Sequence, residues 1–172
     1  MALVATVGAS TSNSYVTQAE ATTYFVLHPK SDTWKALGSD EKDTFLIAAT
    51  RQIEMQTLRG DKNDTAMSSG VPDQSLHFPR STDTDDGSEF IPDAIKRACY
   101  EQAVHLASTG GGVDTRSQLQ AQGVASVSIG DVSETYVGTA GNNPISALAV
   151  LPRQLLLGGG FIRITGSFTR GN

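Results

Sequence analysis

The chain has little of the chemistry that marks enzymes or secreted scaffolds. A single cysteine, Cys99, stands among its 172 residues. No disulfide can therefore close within the chain, and nothing points to an oxidising compartment. On an apolar helix stripe that thiol reads as a small core filler and not as a reactive group. Aromatic residues make up 6% and hydrophobic residues 38%, a lean supply that leaves much of the chain to loops or to surface shared between subunits. No apolar run approaches the ~20 residues of a membrane-spanning helix. The opening MALVATVGASTS lacks the basic start and the long apolar stretch of a secretory signal. The expectation is a soluble protein, intracellular at synthesis, with no membrane partner.

Catalytic and metal-binding signatures are missing too. There is no Walker loop, no Gly-x-Ser-x-Gly elbow, no His-Glu-x-x-His and no Cys-x-x-Cys. His28, His77 and His105 lie on three separate segments without ligand spacing, and each reads as a surface or helix-end residue. The glycine triplets at 110–112 and 158–160 precede no Lys-Ser/Thr and no phosphate-binding turn. Between Asp83 and Glu89 an acidic run invites a calcium reading, but its carboxylates miss the calcium-loop pattern. The twelfth position from Asp83 is Ala94 rather than Glu, so a solvated turn is the better reading. No catalytic residue, metal or cofactor is expected.

Acid is the charge lacking from one end. Residues 135–172 carry Arg153, Arg163 and Arg170 and no acid, a net of +3, whereas residues 1–134 hold all 18 acids and 10 of the 13 Lys/Arg, a net of −8. An acidic body argues against general nucleic-acid affinity, which needs a basic surface to release counterions. It suits a tail that reaches an acidic neighbour.

The most helix-like stretch is Ile91–Ala107, IPDAIKRACYEQAVHLA. Pro92 suits a first turn, and Asp93 places negative charge at the helix N-terminus. Ile95, Cys99, Ala103 and Leu106 recur at helical spacing beside Ala98 and Gln102, while Lys96, Arg97, Glu101 and His105 fall largely on other faces. This run is the expected central core helix. Upstream, Thr17 and Glu20 form a capping box that predicts a helix from about Gln18 to about His28, with Ala21, Tyr24, Phe25 and Leu27 as its buried stripe. Tyr15 or Val16 should staple its first turn. Trp34, in a connector, reads as a plug between helices. A second helix is predicted from about Asp40 to Leu58, with Phe45, Ala49, Ile53 and Gln56 in one stripe, ending at Gly60.

Residues 60–90 form a long polar connection with one apolar island, Leu76-His77-Phe78-Pro79. Further on, Gly130-Asp131 suits the turn of a hairpin that places Val127, Ile129, Val132 and Tyr136 on one face, with Glu134 as the exception. Such a hairpin should dock on the helices or on a neighbouring subunit. Pro144 should open a short apolar helix interrupted by Pro152, and Phe161–Arg170 alternates like an exposed strand or arm. The fold class is thus mainly α, a small helical bundle with an inserted β-hairpin and an extended C-terminal helix/strand arm. It divides as 1–122 core, 123–137 hairpin and 138–172 helix and arm.

Several segments in order, NSYVTQAEATTYF, AATRQIE, HFPR, IPDAIKRACYEQAVHL, LQAQGVASVSIGDVSETY and PISALAVLPRQLL, resemble the head-to-tail connector (adaptor) proteins of tailed bacteriophages. Some members of this sequence group carry the label DnaT-like single-stranded DNA-binding protein. The connector resemblance implies a dodecameric homo-oligomeric ring beneath the portal protein, linking it to the next neck or tail-terminator protein. Genomic DNA would pass through the lumen without sequence-specific binding. The location implied is the virion head–tail junction, with host cytoplasm during assembly. Candidate interface residues for a subunit or portal contact are Val127, Ile129, Val132 and Tyr136 of the hairpin; Leu148, Leu151, Leu155 and Leu156 of the terminal helix; and Phe161, Ile162, Arg163, Ile164, Phe168 and Arg170 of the arm. The alternative is a DnaT-like single-stranded DNA-binding protein. Against it, the aromatics are mostly accounted for as core, and the basic residues are scattered among acids.

Overall fold

The protein was analysed as a computed structural model that describes residues 2–62, 74–80, 82–85, 88–110, 126–129, 132–135 and 148–162. Over these residues it is a small, mainly helical bundle. The elements are α1 (Gln18–Tyr24), a 3-10 turn η1 (Phe25–Leu27), α2 (Ser31–Ala36), α3 (Ser39–Glu54), the short strands β1 (Thr84–Asp85) and β2 (Ser88–Glu89), α4 (Asp93–Ser108), the hairpin strands β3 (Ser126–Ile129) and β4 (Val132–Thr135), and α5 (Val150–Gly158). No described helix is long and apolar enough to cross a membrane.

The expected central helix is α4, which packs against both α3 and α5. Pro92, with extended backbone, is its N-cap, and Asp93 opens the first turn. Its buried set is wider than a single stripe: Ile95, Ala98 to Val104 without a break, and Leu106. A helical stretch hidden on every side must satisfy its polar groups internally, and the middle of α4 does so. Gln102, fully buried, donates its amide to Gln52 Oε1 at 2.6 Å and accepts the Ala149 N–H at 2.8 Å. One side chain thus ties α3, α4 and the start of α5 together. Glu101, expected on an outer face, is also buried, because the end of the first helix covers it.

The α1 capping box forms as expected: the Glu20 backbone N–H reaches Thr17 Oγ1, and the Thr17 N–H reaches Glu20 Oε2. Tyr15 and Val16 are buried before it. The predicted stripe holds through Phe25 and fails at Leu27, which is 95% exposed. The chain tightens into a 3-10 turn over Phe25–Leu27, and Leu27 faces solvent there. His28 before Pro29 then turns extended. Trp34 is a core plug, 1% exposed, lying 4.8 Å from the Phe25 ring, on the short helix α2 instead of a connector.

Helix α3 stops at Glu54, four residues before the expected end. Leu58 leaves the helix to form a bridge with Ile162, so the returning C-terminal segment competes successfully for its backbone groups. Pro152 sits in the first turn of α5 instead of interrupting it, with Arg153 N–H bonded to Ala149 O. There the missing proline N–H costs nothing. Phe161 and Ile162, expected on an exposed arm, are buried in the same core as Phe78 and Leu156. The hairpin register pairs Ile129 with Val132 and Val127 with Glu134, as the two-residue turn requires. The proposed link at 138–143, the opening of the terminal helix at Pro144 and the arm beyond residue 162 lie outside the described residues.

If Gln102 is the polar tie of the core, Gln102→Ala strands the Ala149 N–H and leaves a cavity. The expected loss is about 2–4 kcal/mol in urea unfolding. A loss under about 0.5 kcal/mol would show that the three-helix junction does not depend on it.

Candidate functional site

Three groups of polar side chains stand apart from the apolar core. In the first, Glu101 Oε1 accepts the Tyr24 hydroxyl at 2.7 Å and lies 3.0 Å from His28 Nε2. The Tyr24 ring stacks on Tyr100 at 4.7 Å, and Lys96 pairs with Glu20 at 2.8 Å beside it. Burial raises the Tyr24 pKa to about 12; the Glu101 hydrogen bond and charge add to this, and Arg97 opposes it. Glu20 is held below the usual carboxylate range. Its burial works the other way, but the bonds from Lys96 and Thr17 outweigh it. The group docks η1 onto α4 and offers no activated nucleophile. Cys99, within the core, has its thiol pushed up to about 12 by burial, with only partial relief from Thr50, as befits a filler.

The second group surrounds Glu54 at the end of α3. Its carboxylate accepts the Tyr15 hydroxyl and the His77 backbone N–H, the latter at 3.1 Å. Burial raises its pKa, against the opposing influence of the His77 hydrogen bond, His77 and Lys62. His77 Nε2 is buried with no hydrogen-bond partner among the described residues.

The third group is a basic edge on the segment that leaves α3. Arg51 in its last turn and Arg59 are exposed, as is Met55 between them, and Lys62 is half-buried with Nζ 3.2 Å from Ser75 O. Two backbone contacts bring other parts of the chain to this edge. Arg59 N–H donates to Phe161 O at 2.8 Å, and Lys62 bridges to Arg80. Residues 74–80 are held in shape by buried Gln74, whose amide donates to Leu76, His77 and Pro79 carbonyls. At the end of that loop the Arg80 guanidinium lies over both Phe78 (5.1 Å) and Phe161 (4.9 Å) and pairs with Asp83 at 2.7 and 3.0 Å. Asp83 is therefore a buried ion-pair partner and not part of a solvated turn. The acids on the edge are Glu54 and Asp61.

The residues singled out from the sequence are dispersed. Leu148, Leu156, Phe161 and Ile162 are core; Leu155 is partly buried against it; Leu151 is 47% exposed. Val127, Ile129 and Val132 lie on the hairpin strands. Tyr136, Arg163, Ile164, Phe168 and Arg170 lie outside the described residues. Sequence reasoning missed Arg80. Its signal was present in the HFPR segment, where an arginine directly follows an apolar island. No group of three or more metal-ligating side chains occurs among the described residues.

Because the Glu54 pKa is raised, the folded chain holds that proton more tightly than the unfolded one. The stability this carries is fully present below the ordinary value of 4.5 and is lost as pH rises through the folded value. Glu54→Gln keeps an oxygen for the Tyr15 hydroxyl and the His77 N–H but cannot ionise. Relative to wild type, the variant should gain stability as pH rises from 4 toward 7 in urea titrations; a constant difference would refute the assignment.

No curated protein and no solved structure matches the chain. A family model does match, over residues 1–165, and it is not one of head-to-tail connectors. This overturns the connector resemblance and the neck-adaptor function read from it. The partners that rested on that resemblance fall with it: the dodecameric ring, the portal, the downstream neck or tail-terminator protein, and genomic DNA threaded without sequence-specific contacts. The resemblance misled because its segments were short and none was diagnostic alone, whereas the family model spans nearly the whole chain. The chain belongs to the family described as "Putative DnaT-like ssDNA binding protein".

Proposed function

We propose that this protein binds single-stranded DNA, with the basic edge of Arg51, Arg59 and Lys62 and the acid-free C-terminal segment as its phosphate-contacting surface. The family match over residues 1–165 carries this reading. The charge distribution supports it. The protein as a whole is acidic, at −5, so an anionic polymer is repelled at long range. Binding then needs local cations, and the segment from Arg51 to Lys62 supplies three, Arg51, Arg59 and Lys62, against two acids, Glu54 and Asp61. That segment is bonded through Arg59 to Phe161, the point from which Arg163 and Arg170 follow in sequence without any acid.

Sequence-tolerant binding of single strands also uses aromatic faces for base stacking. Most rings here are committed to the core. Phe90, 43% exposed, is the ring most open to solvent among the described residues, and its N–H is bonded to Asp83 O in the loop that follows Arg80. It is the ring we assign to stacking. Asp85 and Glu89 lie beside it in the chain, so the contribution should be modest.

Fluorescence anisotropy with a labelled oligothymidylate tests the reading. Each phosphate neutralised on a single strand contributes about −0.7 to the slope of log K against log salt. Arg59→Ala and Lys62→Ala should each make the slope about 0.7 less steep, and Phe90→Ala should weaken binding by about 1 kcal/mol without changing it. Absence of binding at low salt, or slopes indifferent to both cation variants, would sink the proposal.

A further inference from the structure

We infer that Arg80 is a positioning residue, a latch that holds the root of the C-terminal segment on the basic edge without itself contacting DNA. The part of this inference that concerns DNA rests on the single-stranded DNA reading above; the latch itself does not. Arg80 looks at first like a further phosphate contact, but its charge and its planar face are already committed. Its guanidinium makes a two-pronged pair with Asp83, which is 4% exposed, and Asp83 also accepts the Arg80 backbone N–H at 2.9 Å. Its guanidinium carbon also lies over the rings of Phe78 and Phe161, which meet edge-on at 5.4 Å. Arginine's planar fork suits both roles at once, and a lysine could fill neither in the same way.

Phe161 is the residue through which this matters. It belongs to the segment after α5, and its carbonyl accepts the Arg59 N–H while the next residue, Ile162, bridges to Leu58. Arg80 therefore grips, by its ring contact, the same residue that the basic edge grips by backbone. The surroundings are shaped around the grip. Gly60 has φ +89°, and a Cβ there would come within 2.7 Å of Arg80 Cδ, so only glycine leaves room for the arginine stem. Gly159 likewise leaves room for the Phe161 ring. Latching Phe161 fixes the described end of the segment from which the chain runs on in sequence to Arg163.

Two readouts on the full-length chain test this. The first is trypsin cleavage after Arg163 relative to cleavage after Arg170, followed by mass spectrometry, with the more distal site as internal reference. When opening is fast relative to cleavage, the ratio reports the population in which the root has let go. Arg80→Ala should raise the Arg163:Arg170 ratio about tenfold or more, and Arg80→Lys should not restore it. If Arg80→Ala fails to fold by circular dichroism, Asp83→Asn, which keeps the arginine but weakens its pairing, should raise the ratio in the same direction. An unchanged ratio in a folded variant overturns the latch.

The second is a double-mutant cycle in oligothymidylate affinity. Arg163→Ala should weaken binding several-fold in the wild-type background and have little effect once Arg80 is alanine. Additive effects would show that Arg80 acts independently of Arg163 and overturn the positioning role. If the wild-type protein binds no oligonucleotide, the proposed function fails, and the cleavage ratio alone decides whether the latch exists.

Discussion

Burial of the middle of α4, from Ala98 to Val104, is the constraint from which the rest of the bundle follows. A helix with seven consecutive buried positions from Ala98 to Val104 cannot leave Glu101 and Gln102 to water. Each must be met by a neighbour, because an unpaired buried polar group forfeits the hydration it gave up. Gln102 is met by Gln52 of α3 and by the backbone at the start of α5; Glu101 is met by Tyr24 and His28 from the end of the first helix. The polar pair therefore selects the order in which α1, α3 and α5 surround the core helix. Apolar packing alone would tolerate several arrangements, since hydrophobic contact is non-directional.

A second organising feature lies where the returning C-terminal segment meets the end of α3. Phe78 and Phe161 come from positions far apart in the chain, yet both meet one guanidinium and share the core. Cation–π contacts and a two-pronged ion pair, with Asp83 shielded from water, hold better than the same groups would at an open surface. Arg59, Lys62 and Arg80 also come together at this junction. Fold and proposed function thus meet at one corner: the contacts that close the core there also hold the end from which the basic tail runs on in sequence.

Much of the fold was legible in the residues. The Thr17–Glu20 capping box, the helical spacing of Ile95, Cys99, Ala103 and Leu106, the plug-like Trp34 and the pairing of Ser126–Ile129 with Val132–Thr135 are local signals, and local physics honoured them. Three of the misreadings have one cause in common. Leu58, Glu101 and Phe161 each behaved as their distant neighbours required, not as their own segment suggested. The candidate site was far less legible. Charge counting located the acid-free end, but it could not bring Arg59 next to Phe161 or reveal that the charge of Arg80 is spent on Asp83. The connector resemblance drew on the same short segments and erred in the same way, by weighing local likeness over the whole chain.

By itself, then, the sequence determined the helices near Gln18, Asp40 and Asp93, the Thr17–Glu20 cap, that one thiol would be inert filler, and that positive charge would collect at the C-terminal end. These follow from spacing and composition, which act within a few residues. Only the tertiary structure decided which helix is enclosed, which polar side chains it takes inside, and that Arg80 is paired with Asp83 beside Phe78 and Phe161. Those outcomes depend on contacts between residues dozens of positions apart, such as Arg80 with Phe161 and Gln102 with Ala149. No local pattern encodes them.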